Sequence, residues 1–131
     1  MMEGSLIGID IQPIAEVEQS LKTFGDRYRR RLFTDHELEC CGDGPRTASR
    51  LAERFAAKEA VMKVLHAGEE VPTWRSIEVR VSKSGQPEVV LHDGAATLAR
   101  SQGIRGLSLS LSHAGGIAAA TVVVISTPDP A

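Results

Sequence analysis

From Arg46 to His66 the chain carries neither glycine nor proline, and Ala, Leu, Arg, Lys, Glu and Met fill most of the positions. These residues lose little freedom on entering a helix, so the stretch predicts one long helix that Gly68 closes. Leu51, Phe55, Ala56, Met62 and Leu65 give it an apolar stripe. The remaining elements must supply the surface on which that stripe is buried.

Leu6 to Ile11, L-I-G-I-D-I, reads as a strand with Asp10 near its end. Pro13 suits the first turn of a helix, and Ile14, Val17 and Leu21 continue at helical spacing until Phe24-Gly25. A second helical piece follows from Asp26 to about Phe33. Thr34 with Glu37 three residues later is a capping box, which predicts a short helix over Asp35 to Cys40. After the loop Gly42 to Pro45 and the long helix, residues 74–81 alternate. Ile77, Val79 and Val81 oppose Ser76, Glu78, Arg80 and Ser82, as in a half-buried strand.

Ser84 to Pro87 turns the chain into a returning strand, Glu88 to His92. Asp93 is placed to cap a helix that ends near Gln102-Gly103. Leu107, Leu109 and Leu111 alternate with Ser108, Ser110 and Ser112. Ala114-Gly115-Gly116 then turns the chain into a central strand, Ile117 to Ile125. The sum is an α+β fold, with an antiparallel sheet packed against one long helix and shorter helices. We expect a single domain over residues 1–131, with 126–131, which hold Pro128 and Pro130, as a flexible tail.

With 131 residues, 42% hydrophobic and 24% charged, the composition is that of a globular domain. The apolar run Ile117 to Ile125 is too short for a membrane span. The start shows no basic region followed by a long apolar one, so a cytoplasmic location is expected. A net charge of −2 gives no general attraction to nucleic acid. Cys40 and Cys41 are adjacent, a spacing that disfavours a mutual bridge, so they are expected as reduced thiols near a helix end. Arg27, Arg29, Arg30 and Arg31 form a local basic run, suited to an acidic protein or phosphate partner or, more simply, to a solvated helix face.

The chemistry concentrates in R-F-A-A-K-E-A-V-M-K, residues 54 to 63. Glu59 and Lys63, four apart, share a helix face, and Arg54 and Lys58 share the adjoining one. Alone, such pairs are ordinary surface contacts. Asp10, flanked by Ile9 and Ile11, is costly to bury without compensation, unless it caps the following helix. If it approaches Glu59, the two carboxylates suit Mg²⁺ completed by phosphate oxygens, with Lys63 neutralising phosphate charge. His113 ends the strand S-L-S-L-S-H before a glycine turn. It is either a surface residue or a partner for a flat group or a phosphate. No nucleophile elbow, P-loop or G-x-G-x-x-G is present.

Three separated blocks, G-I-D-I at 8–11, R-F-A-A-K-E-A-V-M-K at 54–63 and S-L-S-H at 110–113, with the turn G-Q-P at 85–87, resemble the phosphopantetheinyl transferases. The small bacterial holo-acyl-carrier-protein synthase type fits best, over about Leu6 to Val124. The resemblance implies transfer of the phosphopantetheine arm of coenzyme A to a serine of an apo acyl carrier protein, with release of adenosine 3',5'-bisphosphate. It implies Mg²⁺ held by Asp10 and Glu59, with Glu59 and Lys63 as catalytic groups. Arg54, Lys58, Lys63, Gly85, Pro87 and His113 are implied around coenzyme A. Arg27, Arg30 and Arg31 are candidates for gripping the carrier.

The resemblance also implies a homotrimer with sites at subunit interfaces, and a role in fatty acid biosynthesis and lipid metabolism. The larger, two-halved class of the family often has a third acidic ligand where this chain has Gln12. The small class usually has a basic residue early in the first helix, where this chain has Glu16 and Glu18. That difference points to a carrier from polyketide or other specialised synthesis. Two rival readings keep the same fold: a non-catalytic module binding coenzyme A or the carrier, and a magnesium-dependent nucleotide hydrolase.

Overall fold

The structure, a computed structural model, describes residues 7–126. Leu6, the expected start of the first strand, and residues 127–131 of the expected tail lie outside the described residues. Ser126 is not part of a tail but the last residue of a strand.

Strand β1 (Ile7–Pro13) leads directly into helix α1 (Ile14–Phe24), then α2 (Asp26–Leu32), α3 (Asp35–Cys41) and the long α4 (Thr47–Val64). A 3₁₀ turn over Trp74–Ser76 opens strand β2 (Ile77–Val81). Strand β3 (Pro87–Leu91), helix α5 (Asp93–Ser101) and strands β4 (Ile104–Ala114) and β5 (Ile117–Ser126) complete the chain. The expected antiparallel sheet divides into two, a three-stranded sheet β1-β5-β4 and the hairpin β2-β3. β5 is central, as its apolar run predicts, pairing Asp10 with Ala120 on one side and Leu111 with the same residue on the other. The two-residue turn joining β4 to β5 uses Gly115 and Gly116 at φ 58° and 79°, backbone that side chains disfavour and that matches the twist of a tight hairpin.

Helix α4 lies across β1 and β5. Its inward residues Ala56, Ala57 and Ala60 are fully buried and small, which lets the backbone of the helix approach the sheet. The closest point is Gly8. A Cβ at that position would overlap the carbonyl oxygen of Ala60 and meet Val64 Cγ1 at 3.0 Å. Alternation along β1 then directs Gly8 and Asp10 towards the helix and Ile7, Ile9 and Ile11 away from it. The three isoleucines are 60%, 59% and 60% exposed, so they do not enclose Asp10 as their flanking positions suggested.

Two apolar clusters flank α4. One joins Val61, Val64 and Leu65 to Ile77, Val79, Ala95, Leu109 and Val122. The other joins Leu51 and Ala52 to Val17, Phe33 and Ala118. Between them runs a buried polar knot that departs from two sequence expectations. Lys58, expected at phosphate, is fully buried, with its ammonium 2.7 Å from Glu37 Oε1 and donating to the carbonyls of Trp74 and Ile77. Burial pushes the Lys58 ammonium down from its ordinary value, and Glu37 opposes that shift. Glu37 is at once the capping-box residue of α3 and the acceptor for the backbone N–H of Val79.

Glu78, expected on the solvent side of β2, is buried as well. The start of α3 covers that face, so both sides of β2 are enclosed near Ile77. Thr34 Oγ1 donates to Glu78 Oε2 at 2.6 Å, and Arg80 and His92 reach Oε1 at 3.0 and 3.1 Å. Burial alone would raise the Glu78 carboxyl, and these hydrogen bonds more than reverse it, bringing it down to about 2. Asp93 also differs from expectation. It is the first residue of α5, at φ 47°, and the N-cap position is His92, with no side-chain cap.

Gly8→Ala is expected to lower the unfolding free energy by about 1–3 kcal/mol, the usual cost of overpacking a close contact. Urea denaturation of both proteins, compared at their midpoints, measures it.

Candidate active site

The register of β1 brings Asp10 to the last turn of α4. Lys63 Nζ donates to Asp10 Oδ1 at 3.1 Å and to the carbonyl of Ile9 at 2.7 Å, while Gln12 Nε2 donates to Oδ2 at 2.9 Å. Asp10 therefore faces α4 and does not cap α1, whose N-cap position is Pro13. Glu59 stands one helical turn before Lys63 and is half-buried. Its carboxyl is raised above the ordinary glutamate value, first by burial and then by the negative charge of Asp10, with Lys63 pulling the other way. Asp10, Glu59 and Lys63 thus form one electrostatic cluster, drawn from two elements 49 or more residues apart in the sequence.

Two facing carboxylates that repel one another fit a hard divalent cation, which prefers oxygen ligands and relieves that repulsion. Lys63 is half exposed, its side chain at 52%, so its ammonium can meet a second anion beside Asp10. Lys58, adjacent in sequence to Glu59, points into the core instead and is unavailable to any ligand on this face.

A second feature is a cavity of about 610 Å³. It gathers Arg54, Gly85 and Pro87, three positions singled out from the sequence. Arg54 is 6% exposed. Its Nη1 donates to the carbonyl of Arg50 at 3.3 Å, and its Nε is buried without a hydrogen-bond partner. A buried guanidinium with an unused donor is suited to an anion. His113 is exposed beyond the cavity rim, with Nδ1 3.5 Å from Oε2 of Glu53, a lining residue.

Arg50, Glu53 and Ser110 also border the cavity and were not anticipated. Arg50 and Arg54 are four apart on α4, a spacing legible in the sequence. The placement of Glu53 and Ser110 depends on how α4 meets β4, which no local pattern reveals. Arg27, Arg30 and Arg31 are exposed on α2, whereas Arg29 is engaged by Asp26 and Asp43. Glu16 and Glu18 are exposed on α1.

A model of the 4'-phosphopantetheinyl transferase superfamily matches residues 6–121. The chain belongs to the 4'-phosphopantetheinyl transferase superfamily. Among proteins similar to this transferase-family chain is the holo-[acyl-carrier-protein] synthase of Moorella thermoacetica, 42% identical over 120 residues, covering 92% of this chain and 93% of the relative. The crystal structure of holo-[acyl-carrier-protein] synthase from Neisseria meningitidis aligns with a TM-score of 0.82 at 31% identity, over 96% of this chain and all of the other. That of the Helicobacter pylori synthase in complex with coenzyme A aligns with a TM-score of 0.78 at 34% identity, over 91% of this chain and 99% of the other. The resemblance read from three sequence blocks is borne out, as is the antiparallel α+β fold of the superfamily.

In this phosphopantetheinyl transferase the electrostatic reading of the cluster is directly measurable. Asp10→Asn removes a like charge beside Glu59, so the Glu59 carboxyl should titrate at lower pH. Lys63→Ala removes the opposing cation, so it should titrate at higher pH. Carboxyl-carbon NMR titration of Glu59 in the two variants reads both signs.

Proposed function

We propose that this chain is a holo-[acyl-carrier-protein] synthase. It transfers the phosphopantetheine arm of coenzyme A to a serine hydroxyl of an apo acyl carrier protein and releases adenosine 3',5'-bisphosphate. The observation that carries the reading is the Asp10, Glu59 and Lys63 cluster in a chain of this superfamily. Phosphoryl transfer asks a protein for positioning and charge neutralisation more than for covalent chemistry. Asp10 and Glu59 are the residues that would hold Mg²⁺, and the ion would supply neutralisation of pyrophosphate charge.

The proton of the carrier serine would pass, directly or through an ordered water, to Glu59. Lys63 lies beside it to neutralise charge on the phosphate oxygens and the departing bisphosphate. Arg54, Gly85 and Pro87 line a cavity of a size suited to the nucleotide end of coenzyme A, with His113 beside the lining residue Glu53. The exposed Arg27, Arg30 and Arg31 offer an acidic carrier a basic surface on α2. The chain acts as a single domain in the cytoplasm, and among the described residues no helix is long and apolar enough to cross a membrane. The exposed Glu16 and Glu18 make α1 acidic, so the grip on an acidic carrier falls to the arginines of α2.

The purified protein with coenzyme A and Mg²⁺ should add one phosphopantetheine mass to an apo carrier, and a chelator should stop the reaction. Glu59→Gln and Lys63→Ala should each lower the rate by about 10²-fold or more, the usual contribution of a general base or a charge-stabilising group. Intact-mass spectrometry of the carrier against time measures this. Turnover of coenzyme A with no carrier present would instead indicate a hydrolase.

A homotrimer is supported by the outward face of the three-stranded sheet. Ile7, Ile9, Ile11, Val123 and Ile125 are all exposed there, on adjacent paired strands. A contiguous apolar patch of that kind normally marks an interface. Ile9→Arg should convert the trimer to a monomer, read as a threefold fall in mass by size exclusion with light scattering.

A further inference from the structure

Cys40 borders the same cavity as Arg50, Arg54 and Gly85–Pro87, although it belongs to a different helix, α3. It is exposed, and its Sγ lies 3.5 Å from Nε2 of His36, one turn earlier on α3. Its neighbour Cys41 is of the opposite kind. Cys41 is buried, and burial pushes its thiol up to about 11, so it stays protonated and inert. Of the adjacent pair, only Cys40 meets solvent, and it does so beside an imidazole that can take its proton.

The cavity itself is built for an anion. Arg54 is more than nine-tenths buried there with its Nε unpartnered, and Arg50 lies one turn away, against a single lining carboxylate, Glu53. A ligand bearing phosphates is drawn to the guanidinium groups and thereby brought up against a thiol. Coenzyme A, whose nucleotide end the proposed function assigns to this cavity, ends its flexible arm in sulfur. Its oxidised form is a disulfide carrying the same phosphates.

We propose that Cys40 is a modification site at which the disulfide of coenzyme A forms a mixed disulfide with the protein, occupying the donor cavity. The inference rests on the assignment of that cavity to coenzyme A. In the step, the Cys40 thiol gives its proton to His36 and the thiolate attacks one sulfur of the coenzyme A disulfide. The S–S bond of the reagent breaks, a Cys40–S–S–coenzyme A bond forms, and one coenzyme A leaves as thiolate and takes up the proton. No further oxidant is needed, because the disulfide is the oxidant and the departing thiol the reduced product. Cys41, protonated and enclosed, cannot resolve the adduct, so it persists until an external thiol reduces it. The tethered nucleotide excludes incoming coenzyme A, which ties transfer activity to the redox state of the substrate pool.

The full chain is incubated with coenzyme A disulfide and followed by intact-mass spectrometry. The expected product carries one coenzyme A less two hydrogens and is reversed by dithiothreitol. It should be absent in Cys40→Ser and retained in Cys41→Ser. Coenzyme A disulfide should label about tenfold or more faster than the small neutral bis(2-hydroxyethyl) disulfide at equal concentration, an advantage expected from charge attraction and lost in Arg54→Leu. An adduct that survives Cys40→Ser, or equal rates with the two disulfides in the unaltered chain, overturns the proposal. Transfer to a carrier without adduct formation sinks this inference alone. Cavity-directed labelling of Cys40 with no transfer to any carrier sinks the transferase reading and leaves this one standing.

Discussion

The close approach of β1 to α4 at Gly8 is the constraint from which the rest follows. With no Cβ between them, the strand backbone and the carbonyl of Ala60 lie nearly in contact, and Asp10, two residues along on the same face, is carried to Lys63. A larger residue at position 8 would lift the strand from the helix and widen the gap between the two acids. The alanines at 56, 57 and 60 serve the same end from the helix side. Small residues are usually read as weak contributors to a core. In this protein they set the separation of strand and helix at which Lys63 reaches Asp10.

The alternation that turns Gly8 and Asp10 inward turns three isoleucines outward, so β1 does two jobs with its two faces. One face builds the acid cluster; the other leaves an apolar surface exposed among the described residues. An apolar face of that size on paired strands is the kind of surface that proteins use for contact.

Much of this could be read before any coordinates. The capping box at Thr34 and Glu37, the glycine-free run of α4 and the leucine–serine alternation of β4 are local signals, and each element formed where it was expected. The Asp10, Glu59 and Lys63 grouping was legible because the helix spacing and the G-I-D-I block limit the possible partners. Lys58 was misread for a definite reason. Helical periodicity assigns it a face but does not say what covers that face, and α3 with β2 encloses it. Glu78 failed in the same way, since strand alternation assumes one wet side and that side is roofed over near Ile77. Arg50, Glu53 and Ser110 were missed because the cavity arises from the docking of elements distant in sequence.

The buried pair of Lys58 and Glu37 has a consequence for how such a chain can vary. A lone charge left in that enclosed space is far worse than either the intact pair or a fully apolar substitute. The two positions, one on α4 and one in the cap of α3, are therefore energetically coupled: replacing either alone should cost more stability than replacing both with apolar residues. The lysine next to Glu59 in sequence thus serves the architecture, tying α4 to α3 and to the start of β2.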